Sequence, residues 1–355
     1  MTEKNIYKKD LWEDFLDKKN KRPLLGFLWE PDVRPIKTVV DRVGIGNELK
    51  PDDFQKRELR EYVENVQKQL TGWGTDFPQA ISVNLGIPWI EAIIGCKLIV
   101  QEDSVWAKPP DNEYKVLKKI DYNLENPWLS KLIDLHKFLV DISYDRFPIS
   151  LPVMHGPLDV ISAFRSPTKL CFDLYDRPED VKISAEKLKN IWIKIAKQLM
   201  EMTPPYYSGW FTRMNIYLRN RCATPQSDFT SLISEKTYRD FGLEIDKDIM
   251  NDVPSQTYHT HSTSWHVLKI ISQIPNLKSL QITIDPNGPS LEKMKKILVE
   301  CQKNVPLLIS VWNIHDCKWF IENLSPRGLA VVLIKIELTG REEFNNLWKT
   351  VICKY

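Results

Sequence analysis

Two histidines separated by one residue stand in segment 255–262, whose sequence is Ser-Gln-Thr-Tyr-His-Thr-His-Ser. We predict a strand here, because Pro254 precedes the segment and a helix-like run follows it. Side chains two residues apart on a strand point to the same face, so His259 and His261 share a face. Imidazoles paired in this way can bind a metal, move protons or hold an anion. A second interpretation leaves both rings hydrogen-bonded inside a polar core.

Other polar or aromatic side chains also stand where predicted strands end. Asp228 has the chemistry of a general base, and capping of the following helix is its alternative role. We predict that it acts in catalysis together with His259 and His261. The side chains predicted to bind substrate are Trp29, Glu30, Asn84, His155, Arg213, Asp285 and Trp312.

The elements that must position these side chains are eight short runs rich in apolar and β-branched residues. They cover residues 24–29, 80–85, 149–154, 224–229, 255–262, 280–284, 307–312 and 329–334. Most are followed by a helical pattern, which favours a parallel sheet with helices outside it. Eight such units in this length favour an α/β fold of the single (β/α)8 TIM barrel type, with the site at the carboxyl ends of the strands. An open doubly wound sheet is the alternative, although no glycine fingerprint follows the first strand.

The chain is predicted to have two parts. Residues 1–21 form an N-terminal helical extension, in which 7–18 have the spacing of an amphipathic helix. Residues 22–355 form the barrel, with a hairpin inserted at 97–100 and 104–107. The helices of the barrel are expected at 51–70, 127–140, 235–250 and 341–352, with others after residues 176 and 290.

Composition excludes several classes of protein. The chain has 355 residues, of which 43% are hydrophobic and 27% charged, so it can bury a large core. A net charge of +2 gives no electrostatic reason to expect nucleic acid or an acidic membrane as a partner. Six scattered cysteines form no C-x-x-C pair, and no apolar run approaches membrane-spanning length. We therefore expect a cytoplasmic protein.

Three motifs resemble the uroporphyrinogen decarboxylase superfamily. They are Gly-Pro-Leu-Asp at 156–159, the segment 172–179 that opens a helix, and the segment 228–241 with an acidic strand end before a helix start. His259 stands where the cobalamin-dependent methyltransferase branch has its zinc histidine. The resemblance runs from about residue 22 to the end and implies a divergent member with a (β/α)8 barrel.

The chain departs from both branches of that superfamily. Decarboxylases carry an arginine-rich segment after the first strand, whereas residues 29–34 contain one arginine and two acids. Their pyrrole-binding aspartate is replaced by Asn84. The methyltransferases have His-x-Cys on the fifth strand and a second cysteine near the end of the eighth, where this chain has His261 and Glu337. The resemblance thus implies a metal site of His259, His261 and Glu337, a set suited to a Lewis-acid or water-activating role.

Our leading hypothesis is a barrel enzyme that acts on a small polar substrate by metal-assisted methyl transfer. The resemblance implies zinc or another divalent metal and a corrinoid carried by a partner protein. A cofactor-free decarboxylase and a ligand-binding barrel without catalysis are the alternatives, and a homodimer is a candidate assembly.

Overall fold

The computed structural model describes residues 3–28, 35–69, 74–102, 104–108, 113–144, 146–334 and 340–354. The strands of these residues are β1 (Leu24–Leu28), β2 (Glu48–Leu49), β3 (Lys97–Val100), β4 (Val105–Lys108), β5 (Trp210–Phe211), β6 (Tyr217–Leu218), β7 (Cys222–Ala223), β8 (Ser255–His261), β9 (Leu277–Thr283), β10 (Leu307–Val311) and β11 (Leu329–Ile334). Short 3-10 helices cover Pro51–Asp53, Asp228–Leu232 and Ser262–Val267.

The α-helices lie between and around these strands. They are α1 (Glu3–Leu16), α2 (Pro35–Val43), α3 (Lys56–Gln69), α4 (Trp89–Ile93), α5 (Tyr114–Leu117), α6 (Pro127–Ser143), α7 (Pro157–Arg165), α8 (Pro167–Asp176), α9 (Pro178–Met202), α10 (Glu235–Phe241), α11 (Leu243–Asp252), α12 (Leu268–Ile271), α13 (Leu291–Asn304), α14 (Ile314–Asn323) and α15 (Arg341–Lys354). The predicted α/β class is confirmed. The predicted helix at 51–70 is a 3-10 turn followed by α3.

A six-stranded sheet forms the centre, in the order β1-β11-β10-β9-β8-β7. All neighbouring strands in it run parallel. Every residue of β10 and β11 is buried, as expected for strands covered on both faces. The predicted first, fifth, sixth, seventh and eighth strands are therefore present. The fourth strand lies before the predicted residues 224–229, since β7 covers Cys222–Ala223. Within the predicted run, one isolated bridge joins Gln226 to His259, and a 3-10 helix begins at Asp228.

The predicted second and third strands are reduced to one parallel bridge, between Ile81 and Ile149. Side chains and single backbone contacts connect these segments to their neighbours. The Asp76 amide donates to the Leu25 carbonyl at 2.8 Å, and the Asp76 carboxylate accepts the Leu25 amide at 2.8 Å. Asn84 Oδ1 accepts the Val153 amide at 3.2 Å. Polar side chains thus replace part of the backbone ladder on this side.

The predicted inserted hairpin is confirmed as β3 and β4, and β2 adds a third antiparallel strand to it. A second small hairpin, β5 and β6, packs against α1. An aromatic cluster joins them, with Trp12 stacked on Tyr217 at 5.5 Å between ring centroids. The same cluster contains Leu24, Leu308 and Ala330 of the sheet. The α1 helix therefore packs as part of the fold.

Within the described ranges, no helix combines the length and apolar character needed to cross a membrane.

Candidate functional site

Three side chains converge where β8 ends. His259 and His261 lie on β8, and Asp228 begins the 3-10 helix Asp228–Leu232. One ligand-capable atom from each of the three lies within 4.8 Å of the other two. The two imidazole rings are 4.9 Å apart between centroids and nearly perpendicular. His261 Nε2 is 3.8 Å from Asp228 Oδ1. The two histidines therefore lie on one face of β8, as their spacing predicts, and both rings are close to Asp228.

The segment before Asp228 runs beside β8 and carries the carboxylate to the histidines. The His259 amide donates to the Pro225 carbonyl at 2.9 Å, next to the bridge between Gln226 and His259. On its other side, the segment contacts the start of α7. A Cβ atom added at Gly156 would lie 2.0 Å from the Gln226 carbonyl oxygen, so a glycine is needed for this close approach.

Gln281 orients His259 through a buried chain of hydrogen bonds. The Gln281 Nε2 donates to Thr283 Oγ1 at 3.1 Å and to Ser310 Oγ at 2.9 Å. Its Oε1 accepts a short hydrogen bond from His259 Nδ1. Burial, helped by Arg213, holds the pKa of His259 well below its usual value. The ring is therefore neutral at pH 7, and its Nε2 carries the lone pair that a metal ion requires.

Asp285 orients His261 in the same way. Its Oδ1 accepts the Nδ1 proton of His261 at 2.8 Å, and its Oδ2 accepts from Ser262 Oγ at 3.2 Å. Burial lowers the pKa of His261, but the hydrogen bond to Asp285 and the charge of Asp228 outweigh it and raise this pKa. Conversely, burial raises the pKa of Asp285, and the contact with His261 outweighs it and lowers this pKa.

The Asp228 carboxylate is held at one oxygen and open at the other. Its Oδ2 accepts from Gln226 Nε2 at 3.1 Å, while Gln226 Oε1 accepts from Arg213 at 2.9 Å. Its Oδ1 is buried and has no hydrogen-bond partner among the described residues. Asp228 caps neither nearby helix, because no side chain caps the 3-10 helix and Ser234 caps α10. The arrangement favours ligand binding over capping.

A cleft of about 430 Å³ opens beside Asp228. It is lined by Glu91, Ala107, His155, Asp159, Ser162, Ala163, Ser166, Pro167, Asp228, Phe229 and Leu232. Nδ1 of His155 lies 2.5 Å from Glu91 Oε1. Burial lowers the pKa of His155, but the Glu91 carboxylate outweighs it and raises the pKa to about 9. The imidazole therefore carries a proton at neutral pH.

Asp159 shares the cleft with this pair. Its Oδ1 accepts the Phe229 amide at 2.7 Å, which ties α7 to the residue after Asp228. Burial, together with the neighbouring Asp228 charge, raises the pKa of Asp159 to about 8. The shift reflects carboxylates crowded in one buried space.

Several buried polar atoms around this site lack a hydrogen-bond partner within the part of the chain that the structure describes. They are Glu91 Oε2, Asp159 Oδ2, Arg213 Nε, Ser227 Oγ and Asp228 Oδ1. A buried polar atom left unpaired costs about 1–3 kcal/mol. Their concentration here points to a bound ligand that would satisfy them.

The residues predicted from the sequence fall into three groups. Asp228, His259, His261, Arg213 and Asp285 are connected through the contacts above, and His155 lines the adjoining cleft. Asn84 is used to hold Val153, and Trp312 follows β10 with 40% of its surface exposed. Trp29, Glu30 and Glu337 lie outside the described residues.

Sequence analysis missed Glu91, Asp159, Gln226 and Gln281 as site residues. Glu91 carried a usable signal, because it is the one charged residue in the apolar run 86–96. A lone acid in such a run needs a buried partner. Asp159 belongs to the Gly-Pro-Leu-Asp motif, but its position gave no indication of its neighbours. The two glutamines carry no comparable signal.

A scan against models of protein families finds none that matches this chain, and a search of curated proteins also finds no match.

Proposed function

We propose that the chain is a metal-dependent enzyme that activates a small polar substrate at Asp228, His259 and His261. One observation carries this proposal: two adjacent imidazoles are each oriented through Nδ1, and their remaining nitrogens are available beside an unpartnered carboxylate oxygen. Metal-binding histidines are typically oriented in this way by a partner on the second nitrogen. In this proposal Asp228 is the third ligand, the role that the sequence predicted for Glu337. Glu337 stays a prediction as an additional ligand.

The spacing of the three groups suits a divalent ion. Metal–ligand distances of about 2.0–2.2 Å keep two ligand atoms within about 4.4 Å of each other. The present spacing of up to 4.8 Å therefore closes onto an ion with small side-chain movements. Imidazole and carboxylate ligands suit zinc and several other first-row metals.

A divalent cation held there supplies Lewis-acid polarisation and lowers the pKa of a bound oxygen or sulfur. The chain's own residues do the rest. Gln281 and Asp285 hold the two rings in position, and Arg213 holds Gln226 against Asp228. His155 carries a proton and lies in the cleft, where it is placed to protonate a leaving group.

We further propose that the sheet closes into a (β/α)8 barrel of the uroporphyrinogen decarboxylase superfamily. The six-stranded order supports this, because β1 and β7 are its two edges and the segments around Ile81 and Ile149 lie between them in the chain. The contact of Asp76 with Leu25 supports closure on one side. The approach of Gly156 to Gln226 supports it on the other. The site would then lie at the carboxyl ends of the strands, as in other barrels.

Methyl transfer from a corrinoid on a partner protein remains the leading reaction, and it rests on the motif resemblance. The cofactor-free decarboxylase is less well supported, because the described lining of the cleft includes three carboxylates and no arginine. The cytoplasmic location is supported by the six free cysteines, and the homodimer stays a prediction.

Metal analysis tests the proposal. Protein stripped with a chelator is titrated with zinc by calorimetry, and the expected result is one ion bound per chain. The variant His315→Gln, outside the site, is the control and should bind equally. If the stripped protein binds no zinc, cobalt or manganese, the metal-dependent function is wrong. If zinc binds, methyl transfer is tested by adding free methylcobalamin and small thiols to the zinc-loaded protein. If methylcobalamin is not demethylated, methyl transfer to these thiols is excluded.

A further inference from the structure

Glu91 is the most deeply buried acid of the cleft. Its surface is 2% exposed, and it lies on α4 among apolar neighbours. One carboxylate oxygen contacts His155, while Oε2 is buried and has no partner among the described residues. A buried acid in an apolar helix is costly unless each oxygen receives a hydrogen bond. The open oxygen therefore requires a donor that the described chain does not supply.

Asp159 presents a second unpartnered oxygen on the same cleft, and this oxygen can accept from a cation placed beside it. Its Oδ1 is used by the Phe229 amide, and Oδ2 is buried without a described partner. With Asp228, three carboxylates line the cleft, and His155 is the one basic side chain among its described lining residues. Acidic side chains therefore outnumber the basic one in this lining, and neither open oxygen receives a hydrogen bond from the described chain.

We propose that this cleft binds a small molecule with an ammonium group beside Glu91 and Asp159 and an oxygen or sulfur at the metal site. The placement of the oxygen or sulfur end rests on the proposed metal site. The placement of the ammonium end does not. An ammonium group offers three donors on one charged atom, so it can serve both open oxygens. A hydroxyl offers one donor and no charge, and a carboxylate or phosphate group would be repelled.

The shared position of Asp228 sets the arrangement of such a ligand. Asp228 lines the cleft and also belongs to the cluster with His259 and His261. A ligand bound to the ion therefore extends into the cleft toward Glu91 and Asp159. A volume of about 430 Å³ admits a short amino alcohol or amino thiol. We assign the substrate class as a small amine of this kind.

Three thiols of matched length separate charge from size: cysteamine, 2-mercaptoethanol and thioglycolate. Each is titrated into cobalt-loaded protein, and the sulfur-to-cobalt absorption band reports binding. We expect cysteamine to bind about tenfold or more tightly than 2-mercaptoethanol, because its ammonium adds charge-assisted hydrogen bonds. Thioglycolate should bind most weakly.

Two variants locate the effect. Glu91→Gln and Asp159→Asn should each reduce the preference for cysteamine and leave 2-mercaptoethanol nearly unchanged. Asp121→Asn, an exposed carboxylate paired with Lys187, is the control and should keep the full preference. Equal binding of cysteamine and 2-mercaptoethanol, or a preference for thioglycolate, would overturn the inference.

The experiment also separates this inference from the metal site. If cobalt does not bind, the proposed function fails, and ethanolamine is titrated into metal-free protein by calorimetry. Binding that is lost in Glu91→Gln and Asp159→Asn would still support the ammonium site. No binding of ethanolamine in that case would overturn the inference as well.

Discussion

The amide oxygen of Gln281 accepts the Nδ1 proton of His259, and this contact leaves Nε2 as the ring nitrogen available to a ligand. The orientation of the amide is itself fixed, because its nitrogen donates to Thr283 and Ser310. All these groups are buried. The tautomer of His259 is thus determined by residues on two neighbouring strands.

Replacing Gln281 with methionine should weaken metal binding, because Nδ1 loses its acceptor and the ring is free to rotate or change tautomer. We expect zinc affinity to fall by about 10–100-fold, the usual effect of losing an orienting partner. Competition with a chromophoric chelator measures it. Gln256→Met is the matched control, since this buried glutamine of β8 donates to the Ile249 and Val253 carbonyls and not to a group that holds either histidine. Equal affinities in the two variants would contradict the orienting role.

Asp228→Asn should abolish turnover and weaken zinc binding by more than the Gln281 variant does, because it removes an anionic ligand. The fold should be retained, since the Asp228 side chain caps no helix. Ser234→Ala should have the opposite effects on stability and on zinc binding. It removes the cap of α10 and should cost about 1 kcal/mol of stability while leaving zinc affinity unchanged. Denaturant unfolding and zinc titration of both variants measure this. A destabilised but fully active Asp228→Asn would show that the carboxylate is structural.

The Glu91–His155 pair should make stability depend on pH. The pKa of His155 is about 9 in the folded state and about 6.5 in an unfolded chain. Its contribution is therefore complete below pH 6.5 and is lost as pH rises through 9. We expect the free energy of unfolding to fall by about 1–3 kcal/mol between pH 6.5 and 9.5 relative to Glu91→Gln. Urea unfolding of both proteins across this range checks it, and parallel curves would disprove the coupling.

Gly156→Ala should destabilise the protein by steric overlap, although the glycine has a backbone conformation open to alanine. The new Cβ would meet the Gln226 carbonyl at 2.0 Å, so we expect a loss of about 3 kcal/mol or more. Gly46→Ala is the control. Its φ of +84° is strained for alanine but nothing lies within 4 Å, so about 1–2 kcal/mol is expected. Denaturant unfolding measures both losses of stability. A smaller loss for Gly156→Ala than for Gly46→Ala would show that the backbone at Gln226 moves away readily and that the close approach is not required.

Much of the sheet follows from sequence because buried parallel strands are continuous apolar runs. The run 329–334 shows this, as does 307–311 apart from Ser310. The segments around Ile81 and Ile149 were predicted as full strands and form a single bridge. Side chains such as Asn84 and Asp76 take over hydrogen bonds there. Local propensity does not show where a side chain replaces a backbone hydrogen bond, because the partner is distant in sequence.

The site was predictable where it depends on local spacing. The shared face of His259 and His261 follows from strand geometry alone. The pairing of His155 with Glu91 joins residues 64 positions apart, and that of His261 with Asp285 joins residues 24 apart. Such pairs are set by how strands and helices pack, so sequence spacing could not identify them.

Anomalous diffraction at the zinc edge, from crystals grown with zinc, tests the central claim most directly. We predict one strong peak about 2.0–2.2 Å from Nε2 of His259, Nε2 of His261 and a carboxylate oxygen of Asp228. Gln281 and Asp285 should keep their contacts with the two Nδ1 atoms. A map with no peak among these three side chains, while zinc binds elsewhere or not at all, would contradict the account.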